Sequence, residues 1–541
     1  MKLMLRSYSN LLLSVRQVTQ ENRGKSTPGI DGQVALTTVQ RVNLIRQMQE
    51  YSLWKVRPTK RIYIPKANAK LRPLGIPCIK DRIAQAMVKN ALEPSWEARF
   101  EAHSYGFRPG RSVQDAIEQS HARLRKGCDT WILDADLKGA FDHLSHEFIL
   151  SAIGQVPGRE FIKQWLKAGY VEANQLHATT AGAPQGGVIS PLLLNVVLDG
   201  MERLLASYIS TREQQPSAQA KCQKPYRRKS PTYGFIRYCD DFLITAKSKA
   251  DLEAIVPTLQ DWLQQRGLEL NAEKTRIVHV EQGCHFLGFT LQQFNQKCFC
   301  RPQKQKVMQF LQRIRDWLKA NAQAKTEAVI HYLNPILRGW ANFYRHGASK
   351  QTFCYVDSQI WEALWRWCRR RHPNKGNKWI ARKYFKTIQG CNWMFATVTQ
   401  DRQGNSTTVS LIRLAYIPIE RHVKVKGTNS PDDAMLKEYW EQRQTRYGKT
   451  YWERGSKYHQ VAKNQNWCCP VCGDFLCNGE AIDTHHQVPL SKGGTNAIDN
   501  LVHLHQACHR HLHSMRILES RRLEPLDGTT ITSGSEGRGT R

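Results

Sequence analysis

An α+β chain of several domains is what this sequence predicts, on three observations. Its 541 residues exceed what one hydrophobic core usually serves, so two to four domains are expected. Short apolar runs rich in β-formers, joined by polar turns, alternate with stretches of helical period. Near the C-terminus two Cys/His pairs bracket a His-rich stretch, the pattern of a small metal-stapled module.

Charge narrows the function classes. Lys and Arg total 79 against 46 Asp and Glu, a formal net charge of +33. Self-repulsion of that size is relieved when a polyanion neutralises part of it, so nucleic acid is the predicted partner. No apolar run reaches the roughly 18 residues that span a bilayer, and no membrane partner is expected. The 15 cysteines are scattered apart from the late cluster, which argues for a reducing, cytoplasmic setting. Residues 1–20 are basic and lack a signal-peptide core, so they read as one amphipathic helix, with an organellar transit peptide as the rival.

In chain order, residues 21–31 form a turn-rich loop. Residues 61–77 hold two strand-like runs about an Asn/Lys turn bracketed by Lys66 and Arg72, fixed cations that suit a nucleoside triphosphate. Asp81 to Ala98 has helical period. Ser104–Arg111 combines Gly and Pro with aromatics and with Arg108 and Arg111, so backbone can approach a ligand while side chains stack or pair with phosphate. In Gly182–Asn195 a glycine-flanked Gln185 precedes a helix start, with Ser190 as N-cap and Pro191 as first helical residue. A basic loop follows between Arg212 and Gly234, carrying Lys221, Lys224, Arg227, Arg228 and Lys229. Asp251 to Gly267 then reads as a helix.

The run Phe235–Ile244 places Asp240 and Asp241 at the turn of a hairpin, unpaired negative charge that is costly without a cation. Another apolar run, Trp131–Asp136, also ends in acid. Three carboxylates from two strand ends can hold two magnesium ions roughly 3.5–4 Å apart, the clamp used in phosphoryl transfer.

In order, residues 62–77, 104–112, 136–142, 182–195, 237–241, 270–275 and 286–289 resemble the motifs of the reverse transcriptases encoded by group II introns. The similarity extends over roughly residues 25–515. It implies a right-hand polymerase with fingers and palm in 1–300 and a helical thumb, called domain X, in 301–388. A DNA-binding region at 389–458, an endonuclease domain at 459–520 and a disordered tail at 521–541 complete the expected order. The resemblance selects Asp136 over Asp134 as the metal-holding acid and leaves Asp142 a structural role. It puts Phe141 beneath the incoming sugar, where its ring would clash with a 2′-hydroxyl, and Gln185 beside template and nucleotide. Cys239 stands where the family commonly has Ala. The family's extension before residues 25–32 is usually longer, so RNA gripping by that part is expected to be weaker here.

From Arg301 to Lys386 there are 19 Lys/Arg against 4 Asp/Glu, interleaved with tryptophans. Val307, Phe310, Leu311, Ile314 and Leu318 make a helix-period stripe, so amphipathic helices with cationic outer faces are predicted. Each Trp there is expected in the core before on a base. Leu333–Tyr344 resembles the domain X signature, which implies binding of intron RNA.

Cys469, Cys472, His505 and Cys508 have the paired spacing of a structural zinc site, with Cys468 and Cys477 as rivals. The segment between resembles the HNH, or ββα-metal, nuclease motif. That resemblance makes His486 the general base, His485, His509 and His513 the ligands of one divalent metal, and Asn500 the residue that fixes the loop orienting His486. His509 and His513 are four apart and share a helix face.

The reading is of an RNA-directed DNA polymerase, maturase and HNH endonuclease that works with intron RNA, target DNA, primer–template and dNTPs. The alternatives are a retron-like reverse transcriptase with an unused zinc module and a splicing cofactor whose polymerase is silent.

Overall fold

The computed structural model describes the chain except residues 50–52, 66–70, 215–225, 389, 401–405, 449–450, 453–454, 479 and 514–541. Lys66, Lys221, Lys224 and the 521–541 tail therefore lie outside the described residues. Two compact units are present, Met1–Ser430 and Pro431–Arg541. Among the described residues no helix is long and apolar enough to cross a membrane.

The first unit is organised on a four-stranded antiparallel sheet in the order Arg276–His279, Trp131–Asp136, Asp241–Ala246, Gly234–Tyr238. Its apolar strands are buried: Ile132, Leu133, Phe242, Leu243 and Ile244 are all within 1 % of complete burial. Such strands need cover on both faces. Helices Ile79–Glu97, Ser190–Leu198 and Lys249–Gln264 contribute to one large core, and helix Val113–Leu124 contributes to a second. A second sheet pairs Leu71–Ile76 with Thr59–Pro65 as the expected hairpin, then adds Tyr170–Glu172 and Gln175–His177.

Several sequence expectations shift. Residues 1–20 are not one helix: Ser7 interrupts them, its hydroxyl accepting from Asn10 N, and helices Lys2–Arg6 and Tyr8–Arg16 result. Ser190 is not the N-cap but the first residue of its helix, after Ile189, and its hydroxyl donates to Pro184 O at 2.9 Å. The flanks of the expected basic loop pair as antiparallel strands, Ile209–Gln214 with Tyr226–Pro231.

After a three-stranded sheet, Cys284–Phe286, Phe289–Phe294 and Lys297–Pro302, come the amphipathic helices Lys304–Ala320, Thr326–Tyr344 and Lys350–Arg371. The whole stripe Val307, Phe310, Leu311, Ile314 and Leu318 is buried, as helical period requires. Asn334 then ties the chain that follows, donating to Ser410 O at 3.0 Å and accepting from Ile412 N at 2.9 Å. Strands Phe385–Ile388, Cys391–Gln400 and Ser406–Ser410 form a sheet against these helices. The unit boundary after Ser430 thus falls inside the 389–458 stretch.

In the second unit, strands Ile482–His486 and Leu501–His505 pair antiparallel and lead into helical residues 506–513, a ββα arrangement. Its buried apolar core is small: Ala462, Trp467, Cys469, Leu476 and Leu504.

Candidate functional site

The acidic site is built by strand register. Asp136 closes its strand and Asp241 opens the next, and the two are direct cross-strand partners. Asp240 lies in the two-residue turn before Asp241, where Cys239 adopts a left-handed φ of 60°. All three acids therefore sit at one end of one sheet.

Crowding changes their ionisation. Asp241 is pushed up to about 7 by partial burial and then by the neighbouring Asp240 and Asp136. Asp240 is raised as well, by burial first and by Asp136. Lys274, from the turn after Leu270, donates to Asp136, and that bond holds its ammonium above the ordinary lysine value. One lysine does not balance three carboxylates, so the residues suit divalent cations. Asp134, on the same face as Asp136, is held by Arg276 at 3.2 Å, which separates the two acids chemically.

A buried scaffold stands behind the turn. Arg237 is completely buried and donates to Asn195 Oδ1 at 3.0 Å and to Cys239 O at 3.2 Å. Asn195 in turn donates to Gly106 O at 2.9 Å. A Cβ on Gly106 would lie 2.3 Å from both Cys239 N and Sγ, so only glycine permits this approach. The motif around Gly106 thus serves as a seat for the acidic turn.

That role corrects the sequence reading of its arginines. Arg108 is buried and pairs bidentately with Glu97 at 2.8 and 2.6 Å. Arg111, also buried, lies 3.5 Å from Glu97 and donates to Ala102 O and Gly427 O. Neither presents its charge to a phosphate. Buried charges require partners, and Glu97 supplies one here.

The predicted nucleotide residues converge. Arg72 Nε donates to Gln185 Oε1 at 2.8 Å, and Gly75 N donates to Gln185 O at 2.8 Å. Arg72 also lowers the Asp240 carboxyl electrostatically, so it stands near the acids. Phe141 is buried, edge-on to Phe107 with ring centroids 6.5 Å apart. Its carbonyl accepts from Ala183 N at 2.7 Å, which joins it to the Gln185 loop. Asp142 is exposed in the first turn of the short helix Ala140–His143, outside the acidic cluster.

The second unit holds two tight groups. Ligand atoms of Cys469, Cys472, His505 and Cys508 all lie within 4.8 Å of one another, as do those of His485, His509 and His513. These are the groups of at least three such residues found among the described residues; the three aspartates do not meet that tightly. His505 Nε2 donates to Phe475 O at 3.0 Å, which leaves Nδ1, 3.3 Å from Cys472 Sγ, free to ligate. Burial raises the Cys469 thiol, yet backbone N–H bonds from His505, Cys472 and Val471 outweigh it and favour thiolate. Cys468 and Cys477 are outside the group.

His509 Nε2 lies 3.0 Å from His485 Nδ1 and 3.0 Å from His513 Nε2. Its other nitrogen meets Asp483 at 3.0 Å, so the lone pair points toward its two neighbours. Converging lone pairs suit a cation. His486 Nε2 donates to Asn496 Oδ1 at 2.8 Å. Asn500 accepts from Val488 N at 2.8 Å and donates to Val488 O and Thr495 O, clamping the loop between the strands.

Sequence reasoning missed Lys274, Asn195, Arg237, Asp483 and Asn496 as parts of these sites. Asp483 had a legible signal, since it lies two residues before His485 on one strand and so shares its face. Lys274, Asn195 and Arg237 lie inside motif stretches noted in the sequence, but nothing local assigns them these contacts.

A register-built acid cluster on an antiparallel sheet, beside a cationic hairpin, defines a nucleic-acid polymerase of the reverse-transcriptase class. Residues 64–291 match the family described as reverse transcriptase (RNA-dependent DNA polymerase), and 1–48 match its N-terminal domain. Residues 307–385 match the group II intron maturase-specific domain, and 469–515 match HNH endonuclease. The chain belongs to the group II intron-encoded reverse transcriptases and carries maturase and HNH endonuclease domains.

It is 35% identical over 310 residues to protein YkfC of Escherichia coli, an alignment covering 52% of this chain and 80% of that one. It is 32% identical over 318 residues to the group II intron-encoded protein LtrA of Lactococcus lactis, covering 50% and 53%. A putative COX1/OXI3 intron 1 protein of Saccharomyces cerevisiae is 30% identical, with 50% and 37% covered. The chain thus spans about half the length of LtrA.

Proposed function

We propose that this protein copies RNA into DNA at the Asp136, Asp240 and Asp241 cluster, after its own HNH domain has nicked target DNA to supply the primer. Asp136 and Asp241 meeting in register, with Asp240 beside them, is the observation that carries this reading.

The three aspartates would hold two magnesium ions, which when bound activate a primer 3′-hydroxyl and offset charge on the leaving pyrophosphate. Arg72, oriented by Gln185, pairs with the triphosphate, and Lys66 acts with it. Phe141 bars a 2′-hydroxyl by bulk. Lys274 pairs with Asp136, and the Arg237–Asn195 pair keeps the turn rigid, so most of the work is positioning.

In the nuclease, His486 takes a proton from water while Asn496 fixes its tautomer. His485, His509 and His513 would hold one divalent cation, which supplies electrophilic stabilisation of the phosphate. Asp483 orients His509. Cys469, Cys472, His505 and Cys508 would hold a structural zinc. The thumb, 301–388, grips intron RNA and primer–template, and 389–458 contacts target DNA; the partner is a group II intron ribonucleoprotein.

Primer extension on an RNA template and nicking of target DNA, each with Asp240→Asn and His486→Ala, test the assignment. Asp240→Asn should lose synthesis alone and His486→Ala nicking alone. Near-parent synthesis by Asp240→Asn would overturn the polymerase site.

A further inference from the structure

A cavity of about 630 Å³ opens between helix Lys350–Arg371 and the sheet that follows it. Its size lies within the roughly 300–1,000 Å³ of small-ligand pockets. None of the residues assigned above to polymerisation or nicking lines it.

The walls are aromatic. Trp361 and Trp365 stack in parallel with centroids 5.5 Å apart, and Trp393 closes on both edge-on at 6.0 and 6.1 Å. Trp393 is 53% exposed and sits at a φ of 63°, a conformation bulky side chains rarely adopt. Water-facing indole held in strained backbone is a surface kept for contact rather than for the core. The Trp361 indole N–H is buried without an acceptor.

Charge decides what kind of ligand fits. Two acids line the cavity, but Asp357 is saturated by the amides of Leu414 and Ala415, both at 2.9 Å. Glu362 is paired with Arg366 at 3.1 Å. Arg413, exposed at the rim, leaves cationic charge there, and the helical wall belongs to a segment with 19 Lys/Arg against 4 acids. An apolar peptide would gain nothing from that charge. A planar base attached to phosphates would gain from both indoles and cations.

We propose that this cavity receives one unpaired base of the intron RNA, stacked against Trp365 and Trp393 with the adjoining phosphate on Arg413. RNA is chosen over DNA because the wall with Trp361 and Trp365 lies within the maturase-specific segment, residues 307–385, although the wall with Trp393 and Arg413 falls in the 389–458 stretch assigned above to target DNA. The proposal rests on the RNA-binding part of the function above, and not on its polymerase chemistry.

The test is photocrosslinking of an unstructured RNA oligomer carrying 4-thiouridine to the full-length protein, with peptide mapping and a binding titration. A single-stranded DNA of the same sequence carrying 4-thiothymidine forms the second arm. The RNA should crosslink within 391–395 or 361–365. Trp393→Ala, at a half-exposed position, should abolish that crosslink and weaken RNA binding about 10-fold. Arg413→Ala should weaken it less. Asp240→Asn, which disables synthesis, should retain the crosslink, so failure of the polymerase reading is seen separately. Crosslinks confined to other peptides, or Trp393→Ala binding RNA like the parent, would overturn the proposal. So would DNA crosslinking here in preference to RNA.

Discussion

The acidic site and the Cys/His sites gather candidate cation ligands in opposite ways. In the second unit the ligand atoms already lie within 4.8 Å of one another, in a domain whose apolar core has five buried residues. In the first unit a large core supports the sheet, and the three aspartates are gathered less tightly, with Asp241 raised to about 7. A small domain uses its metal to complete the fold, whereas a large one can hold an incomplete, charged site open for substrate oxygens to finish.

Loss of the zinc proposed for the Cys/His group should break the comparison hardest. Structural zinc contributes about 10–16 kcal/mol in small modules. Cys472→Ser, or mild chelation followed by magnesium readdition, should unfold the second unit by hydrogen exchange and abolish nicking, while primer extension persists. Retained protection in that unit would show that its core suffices alone.

Next in size, Asp241→Asn should lower primer extension at least about 10³-fold with no loss in melting temperature. The acids contribute to chemistry and cost stability, so the substitution should not destabilise.

Asp483→Ala sharpens the contrast within the second unit. It removes an orienting carboxylate from His509, and about a 10- to 100-fold loss of nuclease-metal affinity is expected by titration. An unchanged affinity would mean that the ring is held by packing.

Gly106→Ala drives a methyl into the Cys239 backbone and should cost about 1–3 kcal/mol, read as a lower melting temperature with slower nucleotide incorporation.

A further test is a pH slope. With magnesium withheld, the folded Asp241 carboxyl near 7 keeps a proton that the unfolded one, near 3.8, has lost. Stability should therefore fall as pH rises from about 4 to 7, and Asp241→Asn should flatten the melting-temperature profile across that window. An identical slope in the variant would assign the effect to other groups.

Legibility in the sequence followed the range of the interactions. The hairpin carrying Asp240 and Asp241, the helix stripe from Val307 to Leu318 and the Cys/His pairs were readable because period and spacing are local. The Ser104–Arg111 loop misled, because a basic, glycine-rich stretch looks the same whether it faces phosphate or is buried. Glu97, on the preceding helix, buries Arg108, and nothing in the loop itself announces it. Ser190 was displaced by one position for a similar reason: its hydroxyl donates to Pro184 O, and the residue lies inside its helix instead of capping it.

By itself the sequence determined which residue types could do chemistry and in what order along the chain they stand. Carboxylates at strand ends, thiols in pairs and histidines four apart are dictated by covalent spacing. Tertiary structure alone decided which charges remain available. Asp134 and Asp136 are two residues apart, yet one is held by Arg276 and the other faces Asp241. Pairing across a sheet joins residues more than a hundred positions apart, and burial raises the cost of every unpartnered charge, so the working groups are those the fold leaves without a protein counter-ion sufficient to neutralise them.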